Sequence, residues 1–203
     1  MTKRKLHRLT GIILLLPFVA WATTAVFFLV RPAYEQAYEQ LRIKQLPITD
    51  VIMVAPAENW QEMRYFRTVL GDHLMVRADD RWQHLDANTL DSKPQPGAEQ
   101  LQLLLEDAFT ANPSRYGRVL SIDDNNATTD TGVQIHINWD SLSLTQTGRD
   151  TRWINKVYDI HYLRWTGYRP FDQVFGLFGL FLLMYMTFSG ARMAFGPNRK
   201  RTV

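Results

Sequence analysis

The chain has 203 residues, a formal net charge of +3 and no cysteine, which excludes a disulfide framework, cysteine-ligated zinc, iron–sulfur clusters and thiol catalysis. Its charge is divided: all 20 acidic residues lie between Arg31 and Gln173 with 15 of the 23 basic ones, so the middle carries −5 while both tips are basic. Basic tips suit anionic lipid headgroups, and nucleic acid is not an expected partner.

Residues 1–10 form a basic N-terminus with Lys3, Arg4, Lys5 and Arg8. Gly11 to Val30 (GIILLLPFVAWATTAVFFLV) is 20 residues without a charge, the length of a first transmembrane helix, bent at Pro17 in a way membranes tolerate. Ala20-Trp21-Ala22 matches the small-residue pattern of a signal-peptide cleavage site. The apolar run nevertheless continues from Val26 to Val30, which suits an anchor better.

Residues 31–173 read as an exported domain. Arg31 to Gln45 contains a tandem AYEQAYEQL, predicting a helix that continues out of the membrane with Tyr34 and Tyr38 stacked at i, i+4. Asp50 to Val54 (DVIMV) reads as a short strand. Glu62 to Leu70, Leu74 to Ala78 and Arg81 to Leu85 are β-rich runs broken at Gly71-Asp72 and Asp79-Asp80, an antiparallel meander. After the loop Lys93 to Gly97, Ala98 to Ala111 repeats Leu101, Leu104, Leu105, Ala108 and Phe109 on one helical face. Arg118 to Asp123 and Val133 to Leu144 read as two further strands separated by the polar DDNNATTDTG. In the second, Val133, Ile135, Ile137 and Trp139 face inward and Gln134, His136 and Asn138 outward. The expected fold class is α+β: two transmembrane helices flanking a helix laid across a small antiparallel sheet.

A second span is placed at residues 174–195, where Val174 to Ala191 is 18 residues without a charge, and a basic tail at 196–203. Arg192, Arg199, Lys200 and Arg201 mirror the basic start, so both termini are expected in the cytoplasm. Small residues Gly176, Gly179, Gly190 and Ala194, with Ala20 and Thr24 in the first span, allow close helix packing within one chain or between two. The expected setting is a bacterial inner membrane with a periplasmic domain.

Four stretches carry a family resemblance: Leu6-His7-Arg8-Leu9-Thr10-Gly11 entering the first span, Trp82 to Asp91 (WQHLDANTLD), the helix–strand pair Ala98 to Asp123, and Ile160-His161-Tyr162-Leu163 before a span ending in Phe188-Ser189-Gly190-Ala191-Arg192. Together they resemble the PepSY-associated transmembrane family, as a small two-span member. The resemblance implies a periplasmic PepSY-like module that acts in protein interaction or restraint of a partner. Larger relatives with four or more spans include haem-bearing reductases of iron–siderophore complexes, whose histidines near the span ends hold the haems. This chain has two spans and no flavin or nicotinamide region, so a self-contained reductase does not follow.

His7 and His161 match those family histidines and are the candidate ligands for haem b, an alternative role as an electron-transfer subunit linked to iron uptake. They belong to opposite membrane faces, about 30 Å apart, so one chain cannot clamp one iron between them. A homodimer or a partner's ligand would have to complete the site. The simpler reading makes His7 part of the basic cluster and His161 an interfacial anchor beside Trp153, Val157, Ile160 and Leu163. His73, His84 and His136 are expected to be solvated, without metal-ligand spacing. The Asp123 to Asp130 loop lacks the residue order of a specific Ca²⁺ site. No nucleophile, phosphate-loop or metalloprotease motif is present, so a non-catalytic interaction module is expected, with membrane lipids and another membrane or periplasmic protein as partners.

Overall fold

The computed structural model describes residues 3–49, 51 and 53–195. In chain order its elements are α1 (Lys3–Val30), α2 (Tyr34–Ala37), β1 (Trp60–Thr68), β2 (Gly71–Ala78), β3 (Arg81–Leu85), α3 (Ala98–Phe109), α4 (Pro113–Tyr116), β4 (Val119–Asp123), β5 (Asn126–Thr129), β6 (Gln134–Asn138), β7 (Ser143–Thr147), α5 (Arg149–His161) and α6 (Arg169–Phe195). They fall into two compact units, one made of the chain up to Pro32 and from Trp153 onward, the other of Ala33–Arg152. The class is α+β.

In the first unit, α1 and α6 are each long and apolar enough to cross a membrane, and their most apolar windows are almost wholly exposed. A core helix of a soluble domain would bury such a surface; these two present it outward, as a helix solvated by lipid does. The pair touches where side chains are small. A Cβ on Gly11 would meet Met186 at 3.1 Å, and one on Gly190 would meet His7 at 3.5 Å. In the first turn of α6, the Asp172 carboxylate is buried and accepts from Thr166 N–H (3.1 Å) and Thr166 Oγ1 (2.7 Å). That turn satisfies polar groups before the chain enters the long helix.

The second unit holds two antiparallel sheets, with strand orders β1-β2-β3 and β4-β5-β6-β7. One sheet was expected. The extra strands come from two places: β5 lies inside the polar stretch after Asp123, and Val133 to Leu144 divides into β6 and β7. The division falls at Trp139 to Leu142, where Asn138 Oδ1 accepts from Ser141 N–H (3.0 Å) and Leu142 has a positive φ of 43°. An Asn side chain that captures a nearby backbone N–H favours a turn over a continuing strand. The first hairpin also shifts: the chain turns at Val69-Leu70, and Gly71, with φ +92°, already begins β2.

The main core joins α3 to the four-stranded sheet, with Leu101, Leu104, Leu105, Ala108 and Phe109 packed on Ala127, Ile135, Ile137 and Leu144. Burial alternates along β6 as its sequence predicts. The three-stranded sheet adds Met75 to that core and buries Leu74, Val76 and Leu85 on its other face. Because β2 is covered on both sides, its sequence shows no alternation.

The expected helix from Arg31 to Gln45 is reduced to α2. Pro32 disfavours helical backbone in the residue before it, Arg31 and Ala33 take positive φ values of 50° and 60°, and the helix ends after Ala37. Tyr34 and Tyr38 still meet, with ring centroids 5.5 Å apart. Of the strand expected at Asp50 to Val54, Asp50 and Ile52 lie outside the described residues; Val51 and Met53 are 94% and 93% exposed and lie outside any strand. Leu46 alone forms a bridge, to Arg67.

The two connections of this unit to the long helices meet. Ala37 O accepts from Gln146 Nε2 (3.0 Å) and from Thr151 Oγ1 (3.0 Å), and Gln146 Nε2 also donates to Glu39 O (3.2 Å). Gln146 is in turn held by Arg115, whose guanidinium donates to Gln146 Oε1 (2.7 Å) and to both carboxylate oxygens of Asp150 (2.8 and 3.3 Å).

Candidate functional site

Histidine is the residue type that carries the candidate chemistry, and the structure sorts the five into three environments. His136 is exposed on β6 and pairs with Asn126 Oδ1 at 3.0 Å. His7 and His161 lie in the helical unit. His73 and His84 lie inside the sheet unit, where they are 0% and 2% exposed. The expectation of solvated side chains fails for this last pair.

His161 ends α5 in an aromatic setting, stacked on Trp21 at 5.6 Å and edge-on to Phe28 at 4.9 Å and Tyr162 at 5.4 Å. Its Nδ1 lies 2.9 Å from Thr24 Oγ1. That hydroxyl is also 2.8 Å from Ala20 O and 2.9 Å from Trp21 O. Carbonyl oxygens only accept, so the single hydroxyl proton goes to the helix backbone and His161 Nδ1 is the donor. In the neutral ring that leaves Nε2 as the atom with the free lone pair.

The other end of the helix pair repeats this device. His7 Nδ1 lies 2.7 Å from Ser189 Oγ, which is 3.2 Å from Met186 O. The same reasoning assigns the Nδ1 proton to His7. Thr24 follows His7 by 17 positions on one continuous helix, a rise of about 25 Å at ~1.5 Å per residue. The two imidazoles therefore cannot share an iron within one chain. Of the small residues, Gly11 and Gly190 face the opposite helix, Gly176 has only Leu163 nearby at 4.0 Å, and the Gly179 Cβ position is open. Ala194 is exposed in the last turn of α6.

In the sheet unit, the two-residue turn at Asp79-Asp80 sets the β2–β3 register, Ala78 opposite Arg81 and Met75 opposite His84. His73 then falls on the same face as His84, one diagonal step away. This much follows from the turn length, so the pair was within reach of the sequence. Thr68 Oγ1 and His73 Nε2 are 2.7 Å apart, His73 Nδ1 and His84 Nε2 2.9 Å, and His84 Nδ1 and Trp139 O 3.1 Å. Leu70 N–H donates to Thr68 Oγ1 at 3.1 Å.

Desolvation holds both imidazoles in their neutral form. Burial, then the Lys93 charge, then His84, pull His73 down to about 3. Burial also dominates at His84, and with Lys93 it outweighs the Trp139 carbonyl and Asp140, leaving about 4.

Beside this core runs an open cleft. A hollow of about 680 Å³ is lined by Ala37 to Ile43, Phe66 and the outer edge of β7, and a second of about 670 Å³ continues it past Tyr65, Met75 and Trp82. Arg64 lies over the Trp82 ring at 4.6 Å. Among the described residues β7 is the last strand of its sheet, and Ser143 to Gln146 of this edge strand line the cleft. Among the described residues, no group of three or more His, Asp or Glu side chains converges as a metal site would require.

Fold and site together define an α+β protein with two apolar helices of membrane-crossing length and a sheet unit that carries a cleft beside an open strand edge. No protein-family model, characterised protein or solved structure matches the chain.

Proposed function

We propose that the chain is a two-span bacterial inner-membrane protein with both termini in the cytoplasm and a PepSY-like periplasmic sheet unit that acts as a non-catalytic interaction module. The observation that carries this reading is the cleft beside β7, where apolar and aromatic side chains adjoin an edge strand that has no further strand paired to it among the described residues. Such an edge accepts an extended segment of another protein by strand addition, with main-chain hydrogen bonds for affinity and side-chain pockets for selectivity. The charge division supports the orientation, because the basic clusters lie at the two tips of the chain.

A photocrosslinking side chain placed at Ser143 or Thr145 in intact cells tests the module, with Leu120, exposed on β4, as the control position. Discrete adducts from β7 and none from Leu120 are expected. Adducts of equal pattern from both positions, or none from either, refute the reading. A reporter fused at residue 100 that is active in the cytoplasm refutes the topology.

The second reading, a haem b subunit serving electron transfer, rests on the orientation of His7 and His161. Ligating histidines commonly donate their other ring N–H to a fixed acceptor, which sets the tautomer and aims the free nitrogen. Thr24 and Ser189 do this here, so each imidazole suits one axial position and each iron needs a second ligand from another chain. Absence of a Soret band from protein expressed with added haem refutes this reading. If the band appears, separate His7→Ala and His161→Ala variants identify the ligand; an undiminished band in both removes the assignment.

A further inference from the structure

With both imidazoles neutral, the buried chain from Leu70 to Trp139 has one order of protons. Trp139 O can only accept, so His84 Nδ1 donates and His84 Nε2 accepts; His73 Nδ1 therefore donates to His84, and His73 Nε2 accepts from Thr68 Oγ1, which accepts from Leu70 N–H. In this neutral arrangement every N–H and O–H of the chain has an acceptor.

The chain also joins the two sheets. Leu70, Thr68, His73 and His84 belong to the three-stranded sheet and its first hairpin, whereas Trp139 belongs to the turn between β6 and β7. The indole answers in the other direction: Trp139 Nε1 donates to Lys93 O at 2.9 Å, and its ring lies 4.4 Å from that of His84. The cleft runs past the same turn, at Ser141 to Ser143.

We propose that His73 and His84 form an acid-operated latch between the two sheets, closed while both are neutral and opened by protonation, which frees the β6–β7 turn and widens the cleft. A proton on His84 Nε2 would face the N–H of His73 across 2.9 Å. Shifting the His73 proton to Nε2 resolves that conflict only by sending two N–H donors to Thr68 and leaving its hydroxyl proton without its acceptor. Of the charged groups around the pair, the Lys93 ammonium, bonded to Asp72 O, disfavours a proton on both imidazoles, Asp140 favours one at His84 but is outweighed, and Asp86 and Asp72 act on Lys93.

Depressed histidine values in the closed form fix the sign. Closure is fully favoured above the ordinary value of about 6.5, weakens as pH falls below it, and stops weakening below the closed-state values of about 4 and 3. From pH 7.5 to 5.0 the ratio of open to closed forms rises roughly 30-fold per histidine, or about 10³-fold for the pair.

Amide hydrogen exchange on the full-length protein in lipid nanodiscs, corrected for the intrinsic pH dependence, reads the opening directly. Protection at β3 and at Trp139 to Leu142 should fall by up to about 10³ between pH 7.5 and 5.0 while α3 changes little. In a His73→Gln/His84→Asn variant the response should vanish. An equal acid response in that variant overturns the proposal. Should the variant not fold, imidazole nitrogen shifts of the wild-type protein decide: both histidines titrating near 6.5 with unchanged protection overturns it, and titration displaced toward acid together with the loss of protection supports it.

Discussion

Replacing Asp150 by Asn tests the ion pair that braces the base of the sheet unit. The Arg115 side chain is 7% exposed and that of Asp150 25%, and the two make a bidentate contact of 2.8 and 3.3 Å. Burial by itself would raise the Asp150 carboxyl; the Arg115 hydrogen bond, the Thr151 N–H and the Arg115 charge outweigh it and hold the group below its ordinary value. Unit charges about 4 Å apart attract by roughly 4 kcal/mol at an effective dielectric constant of ~20, and partial exposure of Asp150 reduces this to about 2–3 kcal/mol. Asn keeps the shape and the acceptor for Thr151 but leaves the guanidinium buried without its counter-charge. Urea unfolding of the full-length protein in micelles, followed by far-UV circular dichroism, should show that loss. A double-mutant cycle with Arg115→Met should return a coupling of about 2 kcal/mol. A cost below about 0.5 kcal/mol for Asp150→Asn, or strict additivity in the cycle, refutes the reasoning.

Three further outcomes follow from the same unit and can be read by the same unfolding assay. Leu105→Ala removes a side chain with no solvent exposure from the α3 interface and should cost about 3 kcal/mol. Gly117→Ala should cost about 3 kcal/mol or more, because the backbone has φ +62° and ψ −127° and the new Cβ would stand 1.8 Å from Asp130 Oδ1; an unchanged midpoint would refute this local geometry. Asp80→Gly should stabilise by about 1 kcal/mol, since both Asp79 and Asp80 hold positive φ values, 52° and 60°, in the two-residue β2–β3 turn.

Legibility in the sequence followed the chemistry of each element. The α3 helix was plain because its five core residues recur at helical spacing and all of them are buried. The β2–β3 hairpin was plain because Asp79-Asp80 separates two β-rich runs. β5 was hidden: Ala127 is its single apolar inward residue, and Thr129, 1% exposed, satisfies its hydroxyl through Val133 O at 3.1 Å. A buried polar residue whose partner is another backbone segment looks, in sequence, like a loop residue. His73 and His84 read as solvated because the local sequence of neither shows that they bond to each other, to Thr68 Oγ1 and to Trp139 O. The split of β6 from β7 turned on one Asn side chain within a run of favourable alternation.

The shared acceptor at Ala37 has a meaning for how such a chain can be assembled. Ala37 and Thr151 are 114 positions apart in sequence and joined at 3.0 Å, so the 120-residue stretch from Ala33 to Arg152 leaves and returns at one doorway. A module with its ends together can be spliced into a short connection between two pre-existing segments without stretching either. In design terms the sheet unit is a transferable cartridge, and Gln146, Thr151 and Arg115 are the fittings that would have to travel with it.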